Sequence, residues 1–312
     1  MAAAKNLADA PPHGEELVIT RTLDAPRDLV WRVWTDPAHA RQWMGPRDHP
    51  VVAIEQDARP GGEWRICLRS VETGEDMWQG GVFRDIVEGE RVVYTMAWEG
   101  GEADMLVTVQ FADAGPGKTR LDFRQQGLPS KDARDGHGAG WSSSFDRLDD
   151  LLVITKQPGG KIQWLYPDAD PVILGSRLFN APRDLVWECF TRAEHMAKWW
   201  GPRRYETRVI EYDVREGGKW RIAQVAKDQK EFVFFGEFRE LRKPDLFVWT
   251  FGFADMPPGE EVHTFADLGG RTLLTTLSRF PDMASRDGVR ATDMEGGAEE
   301  TYDQLEELLK TL

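Results

Sequence analysis

The string Ala25-Pro26-Arg27-Asp28-Leu29-Val30-Trp31 recurs letter for letter as Ala181-Pro182-Arg183-Asp184-Leu185-Val186-Trp187, 156 positions later. Two more blocks keep that register. Trp43-Met44-Gly45-Pro46-Arg47 returns as Trp199-Trp200-Gly201-Pro202-Arg203, and Gly61-Gly62-Glu63-Trp64-Arg65-Ile66 as Gly217-Gly218-Lys219-Trp220-Arg221-Ile222. A repeat this long is a whole domain, not a solenoid unit, so the chain must fold as two copies of one architecture. In 312 residues each copy has ordinary domain size and can bury its own core. The repeats place a first domain at 14–156 and a second at 171–312. Residues 157–170, with Pro158-Gly159-Gly160 and Pro167-Asp168, read as the linker, and those before about Glu16 as a tail.

Within each copy the pattern changes period in a fixed order. Leu17 to Leu23 alternates as a strand. Asp24 or Asn180 stands where it can cap the helix that begins at Ala-Pro. Val30, Val33 and Trp34 then make a helical stripe, and Asp36-Pro37 opens a short second helix that ends at Gly45-Pro46. Five or six strands follow, punctuated by Pro60-Gly61-Gly62, Val87-Glu88-Gly89-Glu90 and Gly115-Pro116-Gly117. A closing helix carries Trp141, Phe145, Leu148 and Leu152 at helical spacing, matched by Ala298, Tyr302, Leu305 and Leu309. Helices segregated from an antiparallel meander make the class α+β.

Net charge is −14 and the pI near 5.0, so the field repels phosphate backbones and anionic lipid. No nucleic-acid partner and no membrane partner are expected. Cys67 and Cys189 fall at different places in the two copies, which argues against a repeated disulfide or thiolate metal site. The start of the chain lacks a signal-peptide apolar run and no stretch is long enough to span a bilayer. A cytoplasmic location is expected.

Taken together, Ala-Pro-Arg-Asp-Leu-Val-Trp, Thr35-Asp36-Pro37-Ala38-His39 with Trp43 and Gly45-Pro46, and Gly61-Gly62-Glu63-Trp64-Arg65 resemble the activator of Hsp90 ATPase homologue-like (AHSA1-like) branch of the START/Bet v 1-like (SRPBCC) superfamily. The resemblance spans nearly all of both copies. It implies two tandem helix-grip domains, each a curved antiparallel sheet around a long C-terminal helix with two short N-terminal helices. It also implies a hydrophobic cavity between sheet and helix. Members bind lipids, polyketides and other apolar molecules, some are cyclases and some confer self-resistance, with no shared catalytic set. The Asn-rich Trp-His-Trp motif used in Hsp90 stimulation by the eukaryotic protein does not occur in this sequence.

The repeat serves as an internal control on candidate residues. Trp31/Trp187, Trp43/Trp199 and Trp64/Trp220 are shared, as core packing predicts. Trp78, Trp98 and Trp141 are not: they face Val233, Phe253 and Ala298. If they line a cavity, the first copy has the more aromatic pocket and the second more free volume; otherwise they repack two cores differently. His39 and His195 are matched and have the right pKa range for acid–base work, but no Asp, Cys or Ser partner repeats with them. Packing beside Trp43 or Trp199 is the plainer account. His13, His49, His137 and His263 are scattered, without metal-ligand spacing. Arg65 and Arg221 alternate with the Trp and Ile of their strand, leaving open which set faces inward. Glu55/Glu211 and Asp57/Asp213 repeat as strand charge, and the Gly-Gly pairs lack the spacing and Lys of a phosphate loop.

The expected ligand-binding residues are therefore His39, Trp43, Trp64, Trp78, Trp98, Trp141, His195, Trp199, Trp200 and Trp220. No catalytic residue, metal or cofactor is assigned. The leading expectation is binding of an apolar or polycyclic small molecule for sequestration, carriage or self-resistance. The alternatives are a polyketide cyclase/aromatase-like enzyme, and an Hsp90-activator-like interaction module. Whether the two domains pack as an intramolecular pseudo-dimer is left open.

Overall fold

Alternating apolar residues in β1 (Glu15–Leu23) feed directly into a helix pair, α1 (Arg27–Thr35) and α2 (Pro37–Trp43). The computed structural model describes residues 14–101, 105–156, 159–254 and 258–312; the first 13 residues of the expected tail, with His13, lie outside them. The chain forms two compact units, Met1–Lys156 and Gln157–Leu312.

In the first unit, β2 (Val51–Gln56), β3 (Glu63–Arg69), β4 (Asp76–Val87), β5 (Arg91–Trp98), β6 (Met105–Asp113) and β7 (Thr119–Leu128) follow the helix pair, and α3 (Lys131–Thr155) closes it. The sheet is antiparallel in the order β1-β7-β6-β5-β4-β3-β2. The second unit repeats this with β9 (Val172–Phe179), α4 (Arg183–Thr191), α5 (Ala193–Trp199), β10 (Glu206–Tyr212), β11 (Lys219–Val225), β12 (Glu231–Arg242), β13 (Leu246–Phe253), β14 (Gly259–Asp267) and β15 (Thr272–Arg279). Bulges between Phe83 and Asp85 in β4 and between Phe238 and Glu240 in β12 bend each sheet. Each unit is thus α+β, a curved sheet gripping a long helix. No helix among the described residues is long and apolar enough to cross a membrane.

Three local outcomes differ from the sequence pattern. The helix caps are not Asp24 and Asn180: Pro26 and Pro182 occupy the N-cap positions of α1 and α4 without a side-chain bond. Asp24 instead pairs with Lys156 at 2.5 Å. Asp36 does cap α2, accepting from the Ala38 amide. Within the segment expected as linker, Gln163–Leu165 forms a strand, β8, paired antiparallel with β9. Finally, the closing helix of the second unit is broken. α6 (Met283–Arg290) and α7 (Met294–Leu309) are separated by a turn at 291–293, where α3 runs unbroken for 25 residues.

The shared tryptophans explain how helix pair and sheet are locked. Trp43 donates its indole N–H to the Val33 carbonyl at 2.9 Å, and Trp199 does the same to Cys189 at 2.9 Å. Trp64 donates to Thr95 O at 3.0 Å and Trp220 to Thr250 O at 3.1 Å. Both close approaches require glycine on β4 and β12. A Cβ on Gly81 would sit 1.8 Å from Thr95 O, and one on Gly236 would sit 1.8 Å from Thr250 O and 2.6 Å from the Trp220 nitrogen. The long helix is tied to the first strand by Arg21–Asp146 at 2.9 Å in one unit and by Arg177–Asp303 at 2.7 Å in the other.

Gly81→Ala and Gly236→Ala are each expected to destabilise their unit by at least about 1–3 kcal/mol, the usual cost of overpacking. Urea unfolding followed by circular dichroism checks this; unchanged midpoints would contradict the close approach.

Candidate functional cavities

Strand alternation settles which side chains face the interior. Trp64 and Ile66 of β3 are buried, while Arg65 points outward, lies 3.9 Å over the Trp78 ring and pairs with Glu99. Arg221 is likewise exposed between buried Trp220 and Ile222. The arginines therefore lie on the outer face, and Trp78, on the same face as Arg65, lines none of the three cavities described below.

In the first unit two small spaces meet at Trp141, one of about 30 Å³ beside Trp64 and one of about 240 Å³ beside Trp98. Their polar groups mostly satisfy one another. Trp141 N–H donates to Gln125 Oε1 at 3.0 Å, and Trp98 N–H reaches His137 Nε2 at 3.4 Å. An indole N–H only donates, so Nε2 accepts and the imidazole proton sits on Nδ1, 3.2 Å from Gln125 Oε1; Gln125 Nε2 also lies 3.0 Å from Nδ1 and has Met105 Sδ as its acceptor at 3.1 Å. Burial lowers the His137 pKa, which favours this neutral form. Gln79 Oε1 is the exception, buried on the wall without a hydrogen-bond partner among the described residues.

The second unit holds a cavity of about 460 Å³, within the range of small-molecule sites. Nine aromatic rings line it, among them Trp199, Trp200, Phe234, Trp249 and Phe251. The break between α6 and α7 places Thr292, Asp293 and Met294 on its wall, and Ala298 stands where the first unit has Trp141. On the sheet side lies a polar group with no counterpart in the first unit. Glu261 Oε2 accepts from Trp249 N–H at 2.9 Å, and Oε1 from Ser278 Oγ at 2.9 Å. His263 Nε2 lies 3.6 Å from Glu261, beyond hydrogen-bond range. Neither His263 nitrogen has a hydrogen-bond partner among the described residues, nor does Gln224 Oε1.

The charge of this group follows from its neighbours. Burial pushes the Glu261 carboxyl up, but His263, Trp249 and Ser278 outweigh it and hold it below the usual carboxylate range. Burial, joined by the Glu261 charge, raises the Tyr302 phenol far above its ordinary value, so that hydroxyl stays protonated on the cavity wall.

Strand register shows why the two sites differ. Tyr94 pairs with Val107, and Val107 with Gln125, across β5, β6 and β7. The same row in the second unit is Trp249, Glu261 and Ser278. Five of the ten expected residues line a cavity: Trp64, Trp98, Trp141, Trp199 and Trp200. Trp43 is fully buried behind them, and Trp220 stacks on Trp249 at 4.3 Å. His39 is buried 3.2 Å from Asp36. Burial pushes the Asp36 carboxyl up, but His39 and backbone amides bring it below its ordinary value. His195 on α5 lines none of these cavities. Glu261 and His263 in one unit and Gln125 and His137 in the other do the polar work. None is among the ten expected residues, because His137 and His263 are weighed in the sequence only as metal ligands and Glu261 and Gln125 meet their partners only through strand register. The available signal was Glu261-Val262-His263-Thr264-Phe265, where alternation sets two polar side chains on the face of a core phenylalanine.

A family model described as "Activator of Hsp90 ATPase homolog 1-like protein" matches residues 24–153 and again 180–310. Among solved structures, the chain is similar to a Chromobacterium violaceum protein at 30% identity, covering 45% of this chain and 98% of that one, with a TM-score of 0.41. A Nitrosomonas europaea protein is similar at 25% identity, covering 46% and 97%, TM-score 0.41. The di-domain ARO/CYC BexL from the BE-7585A biosynthetic pathway is similar at 14% identity over 96% of this chain and 94% of its own, TM-score 0.43. No curated protein matches.

Two measurements check these electrostatics. With a depressed folded pKa, Glu261 contributes stability above its unfolded value of about 4.3, lost as pH falls through the lower folded value. Wild-type Tm is expected to drop more steeply than that of Glu261→Gln between about pH 5 and pH 3; parallel curves would refute the assignment. Nitrogen-15 NMR of the imidazoles is expected to show His137 as the neutral Nδ1–H tautomer near pH 7, and an Nε2–H signal would refute it.

Proposed function

The chain belongs to the Activator of Hsp90 ATPase homolog 1-like family, and we propose that its second domain binds an apolar, aromatic or polycyclic small molecule, with a single polar group of the ligand directed at Glu261 and His263. One observation carries this reading. The cavity of about 460 Å³ is walled by aromatic rings, yet it contains a buried imidazole with both nitrogens unpartnered among the described residues. Leaving such a group unsatisfied costs about 1–3 kcal/mol, a cost that a bound ligand removes. The first domain has spent the equivalent space on Trp141, whose N–H satisfies Gln125, so one ligand per chain is expected.

Sequestration or carriage follows better than catalysis from a largely aromatic space whose buried polar atoms without a partner among the described residues, on His263 and Gln224, lie on the sheet side. A cytoplasmic setting is part of the proposal, supported by Cys67 and Cys189 being buried free thiols, the state a reducing compartment maintains.

Calorimetric titration of the full chain with neutral tricyclic aromatics is expected to give one site per chain. Trp200→Ala should weaken it about tenfold or more, as loss of an aromatic anchor does, and Trp78→Ala, on the outer face, should leave it unchanged. Absence of binding, or equal loss in both variants, would overturn the reading.

A further inference from the structure

The polar inventory of the second-domain cavity is lopsided. Glu261 offers carboxylate oxygens, of which two lone pairs are taken by Trp249 and Ser278; a carboxylate has about four such sites. The Glu261 side chain is 21% exposed and lines the cavity, so the remaining sites open onto that space. His263, its side chain only 6% exposed, has both ring nitrogens without a partner among the described residues, so a neutral imidazole adds one lone pair and one N–H. Gln224, 2% exposed on β11, adds a carbonyl oxygen also without a partner among the described residues.

The donors do not balance these acceptors. Thr301 spends its hydroxyl on the Gly297 carbonyl at 2.7 Å. Arg204 lies over Tyr205 at 5.2 Å with its side chain half exposed and Asp293 3.9 Å away, so its charge is engaged and screened by solvent. Tyr302, the Trp200 indole N–H and the single N–H of His263 are left as neutral donors, and none carries a charge to meet Glu261. The walls themselves are indole and phenyl rings, whose faces carry partial negative charge and attract cations.

Resting on the ligand-binding reading above, we propose that the cavity selects a hydrophobic cation: an apolar or aromatic body bearing a protonated amine, whose N–H groups bond Glu261 and His263 while the surrounding rings hold its charge. An ammonium carries three donors and no acceptor, so it can serve Glu261 and His263 together. A hydroxyl has one proton and serves one of them. A carboxylate would meet Glu261 as a like charge and is rejected.

The test is a charge series on one skeleton, titrated calorimetrically into the full chain near neutral pH: 9-(aminomethyl)anthracene as its ammonium, 9-anthracenemethanol, and 9-anthracenecarboxylate. The ammonium is expected to bind about tenfold more tightly than the alcohol, the size of one desolvated cation–π or charge-assisted contact, and the carboxylate most weakly. Glu261→Gln should cut the ammonium-to-alcohol ratio to about threefold or less; should that variant fail to fold, the wild-type series decides alone. Equal affinities for ammonium and alcohol, or tightest binding of the carboxylate, would overturn the cation selectivity and leave the aromatic site standing. Binding of none of the three would overturn both.

Discussion

Each domain depends on a tryptophan that spends its one polar group on the backbone. Trp64 and Trp220 lie under the sheet and donate to Thr95 and Thr250 across the bulged strand pair, a contact that only glycine at 81 and 236 permits. Trp43 and Trp199 fasten the second short helix to the end of the first. Once these indoles are buried and satisfied, the sheet must curve, the helix pair must sit against one end of it, and the long helix can only fill the concave side. How completely that helix fills it is decided by side chains outside the repeated set.

The two domains answer that question in opposite ways. In the first, α3 is unbroken and supplies Trp141, which packs 4.5 Å from Phe123 and bonds Gln125. In the second, the helix breaks at 291–293, alanine replaces the ring, and the matching sheet row becomes Trp249, Glu261 and Ser278. A buried carboxylate is tolerable only where donors surround it, and Trp249, Ser278 and His263 are those neighbours. Removing a ring and adding a charge on facing surfaces converts a packed interior into a polar-tipped cavity. The fold is untouched by the change because none of these residues belongs to the tryptophan lock.

Most of the fold was legible in the sequence because its signals are local. Period-2 and period-3.6 stretches, the Gly-rich turns and the repeat register locate most strands and helices within a few residues. The candidate site was legible only in part. Trp98, Trp141, Trp199 and Trp200 lie at cavities, but Trp78, a ring of the same kind, faces outward, because it sits one residue from the inward Gln79. His39 and His195 are among the expected ligand-binding residues although packing is the plainer account of their repeat; His39 is buried against Asp36 in the helix pair, and His195 lines none of the cavities. His263 looked like scatter because it does not repeat.

What the sequence determined by itself is the architecture: two α+β helix-grip domains, each built around shared tryptophans and turn glycines, since these depend on residues near one another along the chain. What only the tertiary structure decided is where the chemistry lies. Glu261, Ser278 and Trp249 are brought together by register across three strands, and they face open space because the helix opposite them is broken. Neither fact is local. Cross-strand pairing and helix-to-sheet packing set them, so no periodicity in the chain announces them.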